Sequence, residues 1–180
     1  TENEKTLASI LGKYGYANSE VKAFPIYNDK KKTVDLNFHV NPGSRVHVSQ
    51  VLITGNDSTD DTVIRRELRQ MDGSWLSSEA IEVSKTRLNR TGYFETVDVT
   101  TENVGATDDT VSVNTKVKER PTGSISGGIG IGTDSGLTIQ ASVSQNNLFG
   151  WGTRANITSY ENDYRKHMEI GYTDPYFTVD

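Results

Sequence analysis

The chain has 180 residues, with 19 Lys and Arg against 24 Asp and Glu, a formal net charge of −5, and no cysteine. No apolar run approaches the roughly 20 residues that a spanning helix needs, which excludes a helical membrane protein. The lack of cysteine excludes a disulfide scaffold and a Cys-ligated metal site, and the acidic balance leaves no nucleic-acid footprint.

In chain order, Lys5 to Tyr14 reads as a helix, and about Glu20 to Pro25 and Thr33 to Val40 read as two strands. Val46, Val48, Val51 and Ile53 then suggest a strand ending at Gly55-Asn56. Ser58-Thr59-Asp60-Asp61 has the composition of a helix start, with a Ser or Thr cap and acid in the first turn. Val63, Ile64, Leu68 and Met71 share one face of that helix, and Gly73 ends it. A second helix starts at Ser77 or Ser78, turns Ala80, Ile81, Ser84 and Leu88 inward, and stops at Gly92. Phe94, Val97 and Val99 open a strand of imperfect alternation. Across a loop at Gly105 to Asp109, its hairpin partner carries Val111, Val113, Thr115 and Val117 in strict alternation.

These elements contain a repeat. Thr33 to Val40 resembles Thr110 to Val117, Gly15-Tyr16 matches Gly92-Tyr93, and Leu11 matches Leu88, all at one offset. The complete copy reads strand, helix, helix, strand, strand: a three-stranded sheet with two helices on one face. The first copy shows only its second helix and last two strands, so the polypeptide is expected to be part of something longer.

Composition changes after Lys116-Val117-Lys118-Glu119-Arg120-Pro121. Residues 121–180 hold 9 of the 43 charged residues but 9 of the 16 glycines, which marks a domain boundary. The period beyond it is two. Ile125, Ile129 and Ile131 share one face, with Ser124, Ser126, Gly128 and Gly130 on the other. Thr133 to Gly136 makes a turn, and Leu137, Ile139, Ala141 and Val143 then alternate with Thr138, Gln140, Ser142 and Ser144. Further strands run from about Thr153 to Tyr160 and through Lys166, Met168, Ile170 and Tyr172. Phe149, Trp151, Tyr176 and Phe177 gather near alternate turns, Tyr160 and Tyr164 near the others. Four strands of about ten residues with such girdles fit a transmembrane β-barrel, and equally a soluble meander with one wet face. Lys166 on the apolar side speaks for the meander unless it snorkels. Four strands cannot close a barrel, so the membrane reading requires more wall downstream.

The order of parts resembles the BamA family of outer-membrane protein assembly factors. The resemblance rests on Gly55-Asn56-Asp57, Val63-Ile64-Arg65-Arg66-Glu67, Leu88-Asn89-Arg90-Thr91-Gly92-Tyr93-Phe94, Val117-Lys118-Glu119-Arg120 and Asp174-Pro175-Tyr176-Phe177. It implies α+β POTRA modules (β-α-α-β-β) followed by antiparallel strands of a transmembrane β-barrel. Residues 1–42 would end a fourth POTRA module, 43–120 would be the fifth, and 121–180 the first four barrel strands. The implied function is folding and insertion of β-barrel proteins into the bacterial outer membrane, with the POTRA modules in the periplasm. A secretion or translocation pore of the same superfamily is the alternative. The implied partners are unfolded outer-membrane proteins, the Bam complex lipoproteins and the lipid bilayer, with no nucleic acid.

No enzymatic activity and no cofactor are expected. His39, His47 and His167 lie far apart without metal-ligand spacing. Gly127-Gly128-Ile129-Gly130-Ile131-Gly132 lacks the GxGxxG register and is followed by strand alternation rather than a helix.

Three surfaces are expected to act instead. The first is the POTRA edge strand, with Glu95, Val97, Val99 and Thr101, to which an extended peptide could add a strand. The second is the first barrel strand: Gly123, Ser124, Ile125, Ser126, Gly127, Gly128, Ile129, Gly130, Ile131 and Gly132. Its five glycines weaken the strand. By resemblance it meets the last barrel strand at a seam that opens sideways, where a client strand could satisfy the exposed backbone groups without ATP. The third is Arg65, Arg66 and Glu67 on the first helix, near which the resemblance suggests a lipoprotein docks. An ordinary solvated helix face explains the same charges.

Overall fold

The computed structural model describes residues 2–28, 32–105, 109–133 and 136–178. The expected turn at Thr133 to Gly136 and loop at Gly105 to Asp109 lie partly outside the described residues, at 134–135 and 106–108.

The first copy of the repeat forms helix α1 (Glu2–Lys13) and strands β1 (Glu20–Asn28) and β2 (Thr33–Asn41), paired antiparallel from Glu20↔Asn41 to Asn28↔Thr33. Glu2 and Glu4 stand at the positive end of α1 and Lys13 at its negative end, as the helix dipole favours.

The second copy forms β3 (His47–Thr54), α2 (Asp61–Arg65), α3 (Ser78–Thr91), β4 (Phe94–Asn103) and β5 (Thr110–Glu119). The sheet order is β3-β5-β4, with β3 parallel to β5. A parallel pair needs a crossover, which α2, α3 and β4 supply. Gly15 and Gly92, matched by the repeat, follow the ends of α1 and α3 with φ of +96° and +73°. That left-handed conformation is where glycine is the least strained residue.

The sequence suggested a longer first helix. In the structure α2 ends at Arg65, and its cap is Asp60, which accepts from the Thr62 amide at 2.9 Å. Met71 is exposed rather than part of an apolar face. The chain leaves the helix because residues 71–76 run beside β3: Val48 N donates to Ser74 O, Gly73 N to Val48 O and Leu76 N to Val46 O. Tertiary hydrogen bonds to a strand here override the helical period. The start of α3 matches expectation, with Ser77 Oγ accepting from Ala80 N at 3.2 Å.

Residues beyond Pro121 form a meander of β6 (Gly123–Gly132), β7 (Gly136–Leu148), β8 (Thr153–Glu161) and β9 (Lys166–Thr173). Register carries one apolar row across all four strands: Ile125↔Val143, Val143↔Ile157 and Ile157↔Ile170. On the opposite face the hydroxyls of Ser124 and Ser144, and of Ser126 and Ser142, meet at 2.7 Å. Lys166 stands at the last pair of β8 and β9, where it forms a 3.0 Å ion pair with Glu161. Its charge therefore lies at the margin of the apolar face, not within it.

Contacts divide the chain into two compact units. One comprises Thr1–Thr54, Glu67–Arg90 and Val97–Lys116; the other comprises Gly55–Arg66, Thr91–Thr96 and Val117–Asp180. In the first, Val48, Val51, Leu68, Leu88, Val111 and Val113 are buried. In the second, Val63, Ile64, Phe94 and Val117 are buried. Two short segments before the composition break thus pack with the sheet that follows it. Among the described residues, no helix is long and apolar enough to cross a membrane.

Candidate functional site

The four-stranded sheet has two edges, and they are built differently. β9 carries Lys166 and Glu169. β6 carries no charge and no proline over ten residues, five of them glycine. Natural edge strands are blunted by charge, proline, bulges or shortness, because an exposed ladder of N–H and C=O groups invites pairing. β6 pairs in unbroken register with β7 on one side, from Gly123↔Gln145 to Gly132↔Gly136, and among the described residues stands last in its sheet on the other. Its isoleucines are the most exposed of the face, Ile131 at 88% and Ile125 at 84%.

The three-stranded sheet also ends in two edges. Along β3, the 71–76 segment occupies the outer side, with an isolated bridge between His47 and Trp75. β4 is the other edge. The side chains of Val97 and Phe94 turn into the core, while those of Glu95 and Thr101 stay exposed and Val99 is half-buried. Glu95 pairs with Lys118 at 2.6 Å. With Asp98 and Glu102, β4 is a charged edge, unlike β6.

Within the second unit, the turn between β7 and β8 is bound to the loop before α2. Asn147 Nδ2 donates to Thr59 Oγ1 at 2.8 Å, and Asn147 Oδ1 accepts from Gly152 N at 2.8 Å. Asp60 N donates to Gly150 O at 3.0 Å, and Tyr93 Oη donates to Gly152 O at 3.0 Å. Glu119 closes the network by accepting from Ser58 N at 3.0 Å and Thr59 N at 2.6 Å. Burial pushes the Glu119 carboxyl up, but its hydrogen bonds with Thr59 and Ser58 outweigh burial and hold it below the usual glutamate range. The turn is close-fitting. A Cβ on Gly150, at φ +81°, would lie 1.9 Å from Ser58 O. None of these turn and loop residues was singled out from the sequence as part of a site. The available signal was the glycine pair around Trp151.

Arg65, Arg66 and Glu67 do not form one charged face. Arg65 is exposed and pairs with Asp61 at 2.6 Å. The Arg66 guanidinium lies 3.8 Å from the centre of the Tyr176 ring. Glu67 follows α2 and is 6% exposed, paired with Arg87 at 2.9 Å. Burial of a carboxylate requires such a partner, so Glu67 is a structural residue where a solvated one was expected.

The aromatic residues also divide. Phe149, Trp151, Tyr164 and Phe177 are exposed, with Phe149 and Trp151 rings 5.6 Å apart. Tyr160 stands on the polar face opposite His167, held to Asn162 Nδ2 at 3.1 Å, and Tyr176 is under Arg66. A girdle residue belongs on the apolar face, and the period of two puts Tyr160 on the other. The histidines each have an ordinary neighbour: Phe24 for His39, Gly73 O for His47, and Glu169 at 3.9 Å for His167.

Residues 46–120 match the POTRA family model, described as surface antigen variable number repeat. The chain is 39% identical over 170 residues to the outer membrane protein assembly factor BamA of Neisseria meningitidis serogroup B, an alignment spanning 94% of this chain and 21% of that protein. It matches the crystal structure of BamA from Haemophilus ducreyi lacking POTRA domains 1-3 at TM-score 0.86 and 41% identity, over 97% of this chain and 33% of that one. The chain belongs to the BamA family. CdiB from Escherichia coli, at TM-score 0.53 and 17% identity over 87% of this chain and 28% of that one, shows the fold alone. The chain spans 21–28% of the length of the curated BamA relatives it matches. The features above are therefore those of a segment of that family: an α+β POTRA module and an antiparallel sheet whose first strand carries no charge.

Proposed function

We propose that this segment serves the folding and insertion of β-barrel proteins into the bacterial outer membrane, with β6 as the strand on which client strands pair. In this reading residues 43–120 are one periplasmic POTRA module, residues 1–42 end the preceding one, and residues 121–180 are the first strands of a transmembrane barrel. The apolar row through Ile125, Val143, Ile157 and Ile170 faces lipid, and the Ser, Thr and Gln face lines the interior. The partners are unfolded outer-membrane proteins, the lipoproteins of a Bam complex and the bilayer.

One observation carries the proposal: a ten-residue edge without charge, proline or bulge. In lipid each unpaired backbone group on that edge is costly, so an incoming strand gains its full hydrogen bonding there. Pairing of this kind needs neither ATP nor a catalytic residue. It reads backbone rather than side chains, which suits clients of differing sequence.

Cysteine scanning in the whole protein tests this directly, since the segment has no thiol of its own. Single cysteines along β6 and along β4 would be challenged with a stalled client carrying one cysteine. Disulfides along β6 at a repeating two-residue register are expected. Disulfides confined to β4, with none at β6, would overturn the proposal.

A further inference from the structure

A cavity of about 620 Å³ opens beside the turn between β7 and β8. We propose that it binds the zwitterionic headgroup of an aminophospholipid, with Arg120 holding the phosphate and Glu119 facing the ammonium. The inference rests on the reading that the apolar face of β6–β9 meets lipid.

Position supports it. Gln145 lines the cavity and shares its strand face with Ile139 and Val143. It pairs with Gly123, the first residue of β6, so the cavity sits where the apolar face ends. Headgroups lie at that level of a bilayer, alongside aromatic side chains.

The lining carries matched charge. Arg120 Nε donates to Gly92 O at 2.7 Å, which fixes the plane of the guanidinium. Its terminal nitrogens meet no acceptor among the described residues, and the side chain is exposed. A guanidinium fork of this kind matches the oxygens of a phosphate. Glu119 is its neighbour in sequence and in the lining. Its oxygens already accept from the Ser58 and Thr59 amides, which keeps it ionised beside the cation. One fixed cation and one fixed anion favour a zwitterion over a simple anion. Thr122 and Gln145 add polar groups, held to each other at 2.9 Å.

Phe149 supplies an independent observation. It sits at φ +52°, a left-handed conformation that is strained for a bulky side chain, and the residue is 76% exposed. Apart from its contact with the Trp151 ring, the side chain packs against little among the described residues. That conformation holds the ring at the mouth of the cavity, where glycerol and the first acyl carbons would lie.

The test uses the whole protein reconstituted into vesicles of phosphatidylethanolamine, phosphatidylcholine or phosphatidylglycerol. Each carries a trace of the same lipid bearing a photoreactive group at the top of one acyl chain. Flotation with the vesicles reports membrane insertion, and peptide mapping reports where the lipid labels. Labelling centred on Gln145 to Phe149 is expected in phosphatidylethanolamine. Arg120→Gln should lower it by about tenfold, the loss of one charge-assisted hydrogen bond. Phe149→Gly should also lower it, and Arg154→Gln on the polar face should leave it unchanged. Equal labelling in all three lipids, or labelling insensitive to Arg120→Gln in protein that still floats, would overturn the inference and leave the membrane reading intact. A protein that does not float removes both. If Arg120→Gln does not float while the parent does, Phe149→Gly decides the matter by the same criterion.

Discussion

Asn147 and Thr59, 88 positions apart in the chain, share a buried hydrogen bond of 2.8 Å between the Asn147 amide and the Thr59 hydroxyl. The same Asn147 side chain accepts from Gly152 N, so one residue shapes its own turn and fastens that turn to the loop before α2. Removing it strands a buried N–H, a loss of about 1–3 kcal/mol. Asn147 also sits at φ +62°, which alanine tolerates worse than glycine by about 1 kcal/mol. The expected order of urea midpoints is wild type, then Asn147→Gly, then Asn147→Ala. A midpoint for Asn147→Gly at the wild-type value would show that the contact contributes nothing.

Two glycines with similar backbone provide an internal control for the tightness of that turn. Gly150 and Gly73 have φ of +81° and +71°. A Cβ at Gly150 would collide with Ser58 O, while one at Gly73 meets nothing within 4 Å. Gly73→Ala should cost only the backbone strain, about 1–2 kcal/mol. Gly150→Ala should break the turn from the loop and lower folding yield in reconstitution far more. Equal yields for the two variants would contradict the close fit.

Acid should loosen the same junction. Burial raises the Glu119 pKa, but hydrogen bonds with Thr59 and Ser58 lower it further, below the 4.5 of an ordinary glutamate. A carboxyl depressed on folding stabilises fully above its unfolded pKa, and the contribution fades as pH falls through the folded value. Thermal melts from pH 7 to pH 3 should therefore lose stability below about pH 4.5, and Glu119→Gln should flatten that part of the profile. A Glu119→Gln profile parallel to wild type would assign the acid loss to other groups.

Glu67 and Arg87 pair at 2.9 Å with the glutamate nearly buried. Glu67→Lys places a second cation there and should destabilise by about 3–5 kcal/mol, as broken buried pairs do. Loss of lipoprotein capture by that variant would then be a folding effect. Arg65→Glu, at an exposed site, is the cleaner probe of docking. Swapping the pair, Glu67→Arg with Arg87→Glu, should recover part of the stability. Unchanged melting of Glu67→Lys would show that the pair is not structurally required.

The elements were largely legible because their signals are local. Alternation marked β5, β6, β7 and β9, and the 77-residue offset between Gly15 and Gly92 located the ends of two helices. The junction was not legible. Ser58, Thr59, Tyr93, Glu119 and Asn147 carry no shared spacing, because they arrive from separate stretches and meet only in the second compact unit. Glu67 failed for a related reason. Its neighbours Ile64 and Leu68 set a helical frame, but the chain leaves that helix at Arg65 to line β3, which brings Glu67 to Arg87.

Sequence alone determined which residues share a strand face, since a period of two follows from backbone geometry at each residue. Tertiary structure alone decided what each face meets. Val63, Ile64, Leu68 and Met71 share one helical period, yet the first three are buried and Met71 is exposed. The chain leaves α2 at Arg65 and residues 71–76 run beside β3, which takes Met71 off that face. Burial depends on which layers distant segments deliver to a face, and no local pattern carries that information. The same distinction separates β6 from β5: both alternate, but among the described residues β5 lies between two strands and β6 pairs with β7 alone.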